Sequence, residues 1–495
     1  MPKYVLAIDQ GTTGTTAMVI DATGRIRGRA YGEIRQFYPH PGWVEHDAEE
    51  IFRSVLRQGR AALADAHLKP GDLAVIGITN QRETFVIWER ASGRPLYRAI
   101  VWQCRRSAAI CDQLRDREPE IARRTGLVVD PYFSGTKLKW LLDQERSLRR
   151  RAERGEICFG TIDSWLVFKL TRGAAFVTDF TNGSRTMLMD LERRQWDPAM
   201  LEMLGVPEPM LPRLVASRGP IAEAAAGIFA PHPVPIGALI GDQQAALYGQ
   251  GCVRDGEAKV TYGTGAFLLI NTGQRRMESA NRLIATAALG ARGEPAYALE
   301  GSVFIAGAAI QWLRDELGLV AKSADAEKLA RLSRDRSQPY VVPAFVGLGA
   351  PYWESGARGA ITGITRGTSR ADIVRATLDS IAYQVRDVIA AMEQDTGGRI
   401  AKLRVDGGAS ANDYLMQFQA DLIGRPVVRP RMAETTALGA GLLAGLAVGV
   451  WRSSGEVAEL RALEQVFKPS MKRAERARLL DGWRDAVSRV LPRRS

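Results

Sequence analysis

Short apolar runs alternate with helical patterns along the first half of this 495-residue chain. Val5–Ile8, Ala17–Ile20, Val75–Thr79, Phe85–Trp88 and Ile100–Trp102 read as strands. Asp47–Ala64 reads as a helix that Asp47 can cap. Strands interleaved with helices predict α/β layers around a largely parallel sheet, made mixed by the hairpin of the first two strands. The second half repeats that opening. Lys259–Ile270 again runs strand, Gly/Thr turn, strand; Val341–Phe345 and a glycine-rich stretch, Gly347–Gly367, follow. A helix near Ala371–Ala391 precedes the strand Leu403–Asp406, the diglycine Gly407-Gly408, and a helix with Tyr414, Leu415, Phe418 and Leu422 at three- and four-residue spacing.

Thr435–Trp451 is the longest uncharged run without proline, shorter than the ~20 apolar residues of a spanning helix. Its Gly441, Gly445 and Gly449 recur every fourth residue, which predicts a buried helix packed closely through a glycine face. The chain exceeds one comfortable core, and Gly249-Gln250-Gly251 offers a joint. Two domains, 1–249 and 250–495, are therefore expected.

Composition adds mainly exclusions. With 46% hydrophobic and 25% charged residues and no low-complexity tract, the chain reads as globular and soluble. Met1-Pro2-Lys3 leads straight into a strand, so neither a secretory leader nor stable membrane insertion is expected, and a cytoplasmic location follows. Cys104, Cys111, Cys158 and Cys252 show no Cys-x-x-Cys spacing, and four histidines without His-Glu-x-x-His argue against zinc. The net charge of +12 gathers at Arg149-Arg150-Arg151 and from Lys472 to Arg494. The tail keeps Leu479, Leu480, Trp483, Val487 and Val490 at helical spacing, as in a docked amphipathic helix. Stacking aromatics are not interleaved with these basic residues, so no nucleic-acid partner is expected.

The candidate chemistry lies in the turns. Asp9-Gln10-Gly11-Thr12-Thr13-Gly14-Thr15-Thr16 places one carboxylate before glycines and hydroxyls at a hairpin tip. Backbone N–H groups and threonine hydroxyls can approach phosphate oxygens there, while the acid stays free for a metal ion. An ordinary polar turn is the plain alternative. Tyr262-Gly263-Thr264-Gly265 repeats the design, and Asp242 stands at the mouth of a helix. Two such loops can grip one nucleotide from opposite sides of a cleft. No Gly-x-x-x-x-Gly-Lys-[Ser/Thr], Gly-x-Gly-x-x-Gly, His-Arg-Asp or Gly-x-Ser-x-Gly motif competes. Two carboxylates in phosphate-loop settings fit phosphoryl transfer, with Asp9 near the metal and Asp242 taking the proton of an attacking hydroxyl. Helix capping is the alternative for Asp242.

These residues carry a resemblance that runs nearly end to end, from Ala7-Ile8-Asp9-Gln10-Gly11-Thr12-Thr13 to Thr436-Ala437-Leu438-Gly439-Ala440. Asn80-Gln81-Arg82-Glu83-Thr84, Trp102-Gln103, Asp130–Lys137, Gly241-Asp242-Gln243-Gln244 and Gly347–Trp353 are its specific pieces. The chain resembles the FGGY carbohydrate kinases, and Arg82-Glu83 separates it from ketopentose kinases, which carry a Gln-Met-His type motif there. The resemblance implies two actin-like (ribonuclease H-like) α/β domains, duplicated mixed sheets flanked by helices, with an interdomain cleft. It implies ATP- and Mg2+-dependent phosphorylation of glycerol, with Asp242 as general base. A glycerol pocket of Arg82, Glu83, Tyr132, Asp242 and Gln243 is implied, walled by Trp102 and Phe267. Thr12, Thr13, Gly14 and Thr264 would take the phosphates, Gly307, Gln311, Gly408 and Asn412 the adenosine side. Mg2+ would sit mainly on the nucleotide with Asp9 nearby. Another polyol or sugar substrate, or an actin-like ATPase without kinase activity, are the rival readings. A homodimer or homotetramer is expected.

Two departures matter. Many members that phosphorylate glycerol read Gly-Thr-Thr-Ser-Ser-Arg in the first loop, so an arginine near the phosphates is missing at Thr16. Glu223–Pro235 lacks the glycine-rich basic loop that serves a sugar-bisphosphate inhibitor in some bacterial members, so inhibition of that kind is expected to be weak or absent.

Overall fold

Tyr4–Gln10, Leu73–Asn80 and Val234–Gly241 run parallel in a six-stranded sheet, and their registers bring Gln10, Asn80 and Gly241 to one level. Ligands of open α/β sheets bind beyond such carboxyl ends, so Asp9, Arg82 and Asp242 start from one edge. Gly14–Ile20 and Ile26–Glu33 extend the sheet antiparallel on one side and Arg218–Ala224 on the other. The strands are apolar runs because both faces are covered. Helix Ala48–Asp65 contributes Ile51, Val55 and Ala62 to the core of the sheet that holds Leu6, Ile8 and Ile78. Asp47 caps it as expected, accepting from the backbone N–H of Glu49 and Glu50.

The computed structural model describes residues 4–69, 71–333, 338–354, 356–431, 434–460 and 464–492. Its seven-stranded sheet runs Ile284–Leu289, Pro295–Val303, Ala266–Gly273, Ala258–Tyr262, Leu403–Asp406, Val427–Pro430, Glu464–Phe467. Read outward from Ala258–Tyr262, a meander lies on one side and parallel strands on the other, as around Tyr4–Gln10. A long helix follows the meander in each half: Ala48–Asp65 in the first, Arg370–Thr396 in the second, the latter closed by a Ser369/Asp372 capping box. The duplication expected from the two hairpins is therefore one of topology.

A smaller five-stranded sheet orders Gln36–Phe37, Glu45–His46, Ala99–Ile100, Phe85–Glu89 and Ile157–Thr161. Trp102, expected at a strand end, lies beyond Ala99–Ile100, because its N–H donates to Thr84 Oγ1 (3.2 Å) rather than to a neighbouring strand. That turn frees the indole to reach the loop at Thr12.

Thr435–Ala447, the glycine-faced helix of the second half, packs on the first sheet. A Cβ on Gly439 would meet the Ala245 carbonyl at 2.0 Å, and one on Gly441 would meet Ile20 at 2.6 Å. Gly439 allows backbone approach to helix Asp242–Gly249 and Gly441 close packing on the sheet, whereas Gly449, expected on the same face, lies beyond the helix with nothing within 4 Å of its Cβ position. Among the described residues no helix is long and apolar enough to cross a membrane, and Cys104, Cys111, Cys158 and Cys252 are all buried. The tail forms helix Arg473–Ser488, docked through Leu479, Trp483 and Val487.

Candidate active site

Arg82 leaves the strand Leu73–Asn80 through a tight turn in which Thr84 N–H donates to the Arg82 carbonyl (2.7 Å). Glu83, between them, holds φ at 60°, a left-handed conformation that non-glycine residues adopt at a cost of about 1 kcal/mol or more. Ser134 Oγ holds its carbonyl (2.8 Å). The turn aims Arg82 and Glu83 into one buried cluster.

Arg82 is its centre. Its Nη1 and Nη2 donate to Glu300 Oε2 (2.6 Å) and Oε1 (2.9 Å), and Nη1 also to Gln244 Oε1 (3.2 Å). Its Nε stands 3.0 Å from Asp242 Oδ1 off the hydrogen-bond axis, an ion pair that leaves the buried Nε–H without an acceptor. Tyr132 OH lies 3.4 Å from Nη2. Arg185 braces the far side, donating to Glu83 Oε1 (2.6 Å) and Glu300 Oε1 (3.1 Å), with its Nη1 also unpaired. Lys259 Nζ donates to Gln243 Oε1 and to Thr261 Oγ1 (2.8 Å). Three cations (Arg82, Arg185, Lys259) thus face three carboxylates (Glu83, Glu300, Asp242), a formal sum of zero. Glu300 comes from the strand Pro295–Val303 of the second sheet, so the cluster crosses between the halves.

Burial and these partners set the protonation. Burial works against Glu300, yet Arg185 and Arg82 hold it at about 2. Burial raises Asp242 above the usual carboxylate value, while Arg82 and Lys259 oppose the shift. Burial brings Lys259 down to about 8. Asp9 is pushed up to about 8 by burial, with Asp242 and Glu434 adding repulsion. A divalent cation beside it would favour the ionised form and displace that proton. Among the described residues no three ligand-type side chains converge into a metal cage.

Three aromatic rings wall the cluster: Trp102 lies 5.5 Å from Tyr132 and 6.1 Å from Phe267, both edge-on. Trp102 Nε1 donates to Thr12 Oγ1 in the first loop (2.9 Å). Asp242 opens helix Asp242–Gly249 as its first residue, Gly241 being the cap, and accepts from Gln243 N–H (2.7 Å). The capping alternative is thus met in part, and the second carboxylate oxygen stays available.

In the first loop Gly11 N–H donates to the Gly14 carbonyl (2.8 Å), and a Cβ on Gly14 would meet the Gly32 carbonyl at 2.6 Å. At the second loop Gly307 N–H donates to the Gly263 carbonyl (2.9 Å), and Ala306 and Ala308 donate to that of Thr264. Gly407 reaches the same loop, since a Cβ on it would meet the Tyr262 carbonyl at 2.4 Å, whereas one on Gly408 would meet nothing within 4 Å. Asn412 Oδ1 caps helix Asp413–Ile423 through Leu415 N–H (2.9 Å), and Gln311 lies one turn beyond Gly307. Among the described residues no hydrogen bond joins Thr12, Thr13 or Gly14 to Thr264, Gly307, Gln311, Gly408 or Asn412.

Arg82, Glu83, Trp102, Tyr132, Asp242, Gln243 and Phe267, singled out from sequence, therefore converge. Arg185, Glu300, Lys259 and Gln244 were missed. Glu300 and Lys259 each stand as the lone charge in an otherwise uncharged strand, a signal that could have been read. Nothing around Arg185 marks it.

A two-lobed α/β kinase is the class this fold and site define. Residues 4–249 match the N-terminal domain, and residues 258–448 the C-terminal domain, of the FGGY family of carbohydrate kinases, and the chain belongs to that family. It is 52% identical to glycerol kinase 2 of Thermotoga maritima over 491 residues, 99% of each chain. With the glycerol kinase of Symbiobacterium thermophilum it shares 53% over 489 residues, 98% of each. Its fold is similar to the crystal structure of Plasmodium falciparum glycerol kinase with ADP, with a TM-score of 0.93, 35% identity and 99% of each chain covered.

Proposed function

We propose that this chain transfers the γ-phosphoryl group of ATP to glycerol, giving sn-glycerol 3-phosphate and ADP. The observation that carries this reading is the neutral, fully buried Arg82–Glu300–Arg185–Glu83 cluster with Asp242 at its edge and an aromatic wall over it. An uncharged triol suits a site whose charges cancel, because each hydroxyl both donates and accepts. The unpaired Arg82 Nε–H and Arg185 Nη1 offer donors to hydroxyl oxygens, and Glu83 and Asp242 offer acceptors. The rings of Trp102, Tyr132 and Phe267 cover the carbon chain. Analogues lacking a hydroxyl would leave these buried groups unpaired.

Asp242 takes the proton of the attacking hydroxyl as its oxygen bonds to the γ-phosphorus and the bond to the ADP oxygen breaks. Thr12, Thr13, Gly14 and Thr264 hold the phosphates, and Gly307, Gln311, Gly408 and Asn412 flank the adenosine. Asp9 would stand beside a nucleotide-borne Mg2+, which would supply positive charge against the phosphates. Residues 1–249 and 250–495 are the two lobes, and their closure excludes water from the transfer. Turnover on glycerol, erythritol and ketopentoses, with the phosphorylated carbon located by NMR, tests the substrate. Glycerol is expected to give the highest kcat/KM and a 3-phosphate; equal use of a ketopentose would refute the assignment.

A further inference from the structure

The segment that carries Arg82 and Glu83 is tied to the first phosphate loop by a closed circuit of hydrogen bonds. Gln81 Nε2 donates to the Gly11 carbonyl (3.2 Å) and to Gln10 Oε1 (3.1 Å), and Gln10 Nε2 donates to the same Gly11 carbonyl (2.8 Å). Thr84 Oγ1 donates to Gln81 Oε1 (2.9 Å) and accepts from the Trp102 backbone N–H (3.2 Å). The Trp102 indole then closes the ring onto Thr12 Oγ1 (2.9 Å). Glycerol's aromatic wall and the phosphate loop are thus two ends of one side chain.

The direction of the last bond matters. An indole N–H only donates, so Thr12 Oγ1 must accept, and its hydroxyl proton is left to point elsewhere. Thr12 is half-buried, next to exposed Thr13. A hydroxyl whose oxygen is already engaged as an acceptor is held as a donor, the polarity a phosphate oxygen needs, and accepting one bond strengthens the other.

We propose that Trp102 is the positioning residue that couples the two subsites: seated against glycerol, it locks Thr12 as a hydroxyl donor to the nucleotide's phosphate. This presupposes the glycerol-phosphorylating reading and adds a wire between its two substrates. A ring that served only as an apolar wall would act on glycerol alone.

Trp102→Phe keeps an aromatic face and removes the N–H; Thr12→Val removes the acceptor, and Thr12→Ser retains it. Initial rates on both substrates should show kcat/KM for ATP lowered about five- to tenfold in Trp102→Phe, the worth of one hydrogen bond, on top of whatever the smaller ring costs in the glycerol KM. Thr12→Val, which also removes the donor, should lower it at least as far, Thr12→Ser should restore most of the rate, and the double variant should be no worse than Thr12→Val alone. A rise confined to the glycerol KM, or single effects that multiply in the double variant, would overturn the coupling. Thermal melts of each variant separate these outcomes from misfolding. If the wild-type chain itself makes no glycerol-dependent ADP, the functional reading fails first, and visibly so.

Discussion

Arg82 Nε lies 3.0 Å from Asp242 Oδ1, and the same guanidinium is gripped on its other edge by both oxygens of Glu300. Arg82 therefore holds the candidate base by charge alone while its geometry is set from the opposite half of the chain. The aspartate needs an orientation and an open lone pair more than it needs a hydrogen bond, and this arrangement supplies both.

Asp242→Asn preserves shape and removes the proton acceptor. Its kcat should fall by roughly 10²- to 10⁴-fold, with melting temperature retained. Steady-state kinetics beside a thermal melt checks this, and a well-folded variant with near-normal turnover would remove Asp242 from the mechanism.

Glu300→Gln leaves Arg82 and Arg185 buried without their shared carboxylate. Breaking a buried ion pair from one side costs on the order of 3–5 kcal/mol, so the urea midpoint should drop clearly and the glycerol KM should rise. Unchanged values for both would mean that Glu300 is a bystander.

Asp9 makes a pH prediction. Its folded value of about 8 lies above the ordinary 3.8, so the folded protein holds an extra proton between those limits. The stability this contributes is full below pH 3.8 and is lost as pH rises through about 8. Asp9→Asn does not titrate, so without nucleotide its melting temperature should gain on wild type as pH increases from 5 to 8, then hold a constant lead. A parallel pair of curves would contradict the buried, protonated carboxyl. Binding of magnesium nucleotide to wild type near pH 7 should release protons, measurable as a buffer-dependent enthalpy.

Gly307→Ala would place a Cβ 2.6 Å from the Gly263 carbonyl. The second loop must shift, costing about 1–3 kcal/mol, and the KM for ATP should rise more than that for glycerol. An ATP KM equal to wild type would detach this helix start from the nucleotide site.

Much of this site was legible in the sequence because the motifs sit at strand ends, where a carboxylate stands out against apolar neighbours. Asp9 and Asp242 are announced this way, Arg82-Glu83 only through the family resemblance, and parallel register then brings them to one edge. The hidden part comes from the middle of strands and from a turn. Glu300 lies within Pro295–Val303, where a lone charge signals only that some partner must exist, and that partner is more than 200 positions away in the chain. Arg185 is placed by helix Phe180–Gly183, whose cap, Asp179, accepts from Thr181 and Asn182 N–H. Such a turn has no periodicity to read. The positive φ of Glu83 is likewise set by its surroundings, since no glycine marks the spot. Of the glycines expected on one face, Gly441 and Gly445 pack closely but Gly449 lies beyond helix Thr435–Ala447, and the target, the sheet of the other half, was not visible.

The account turns on a hydroxyl that must be present before the phosphoryl group moves. Coupled measurement of ADP formation from Mg-ATP, with and without glycerol, tests it most directly. ADP should form rapidly with glycerol, in equal amount to glycerol 3-phosphate, and fall to a small residue without it. Equal rates in both arms, with no phosphorylated triol, would contradict the account.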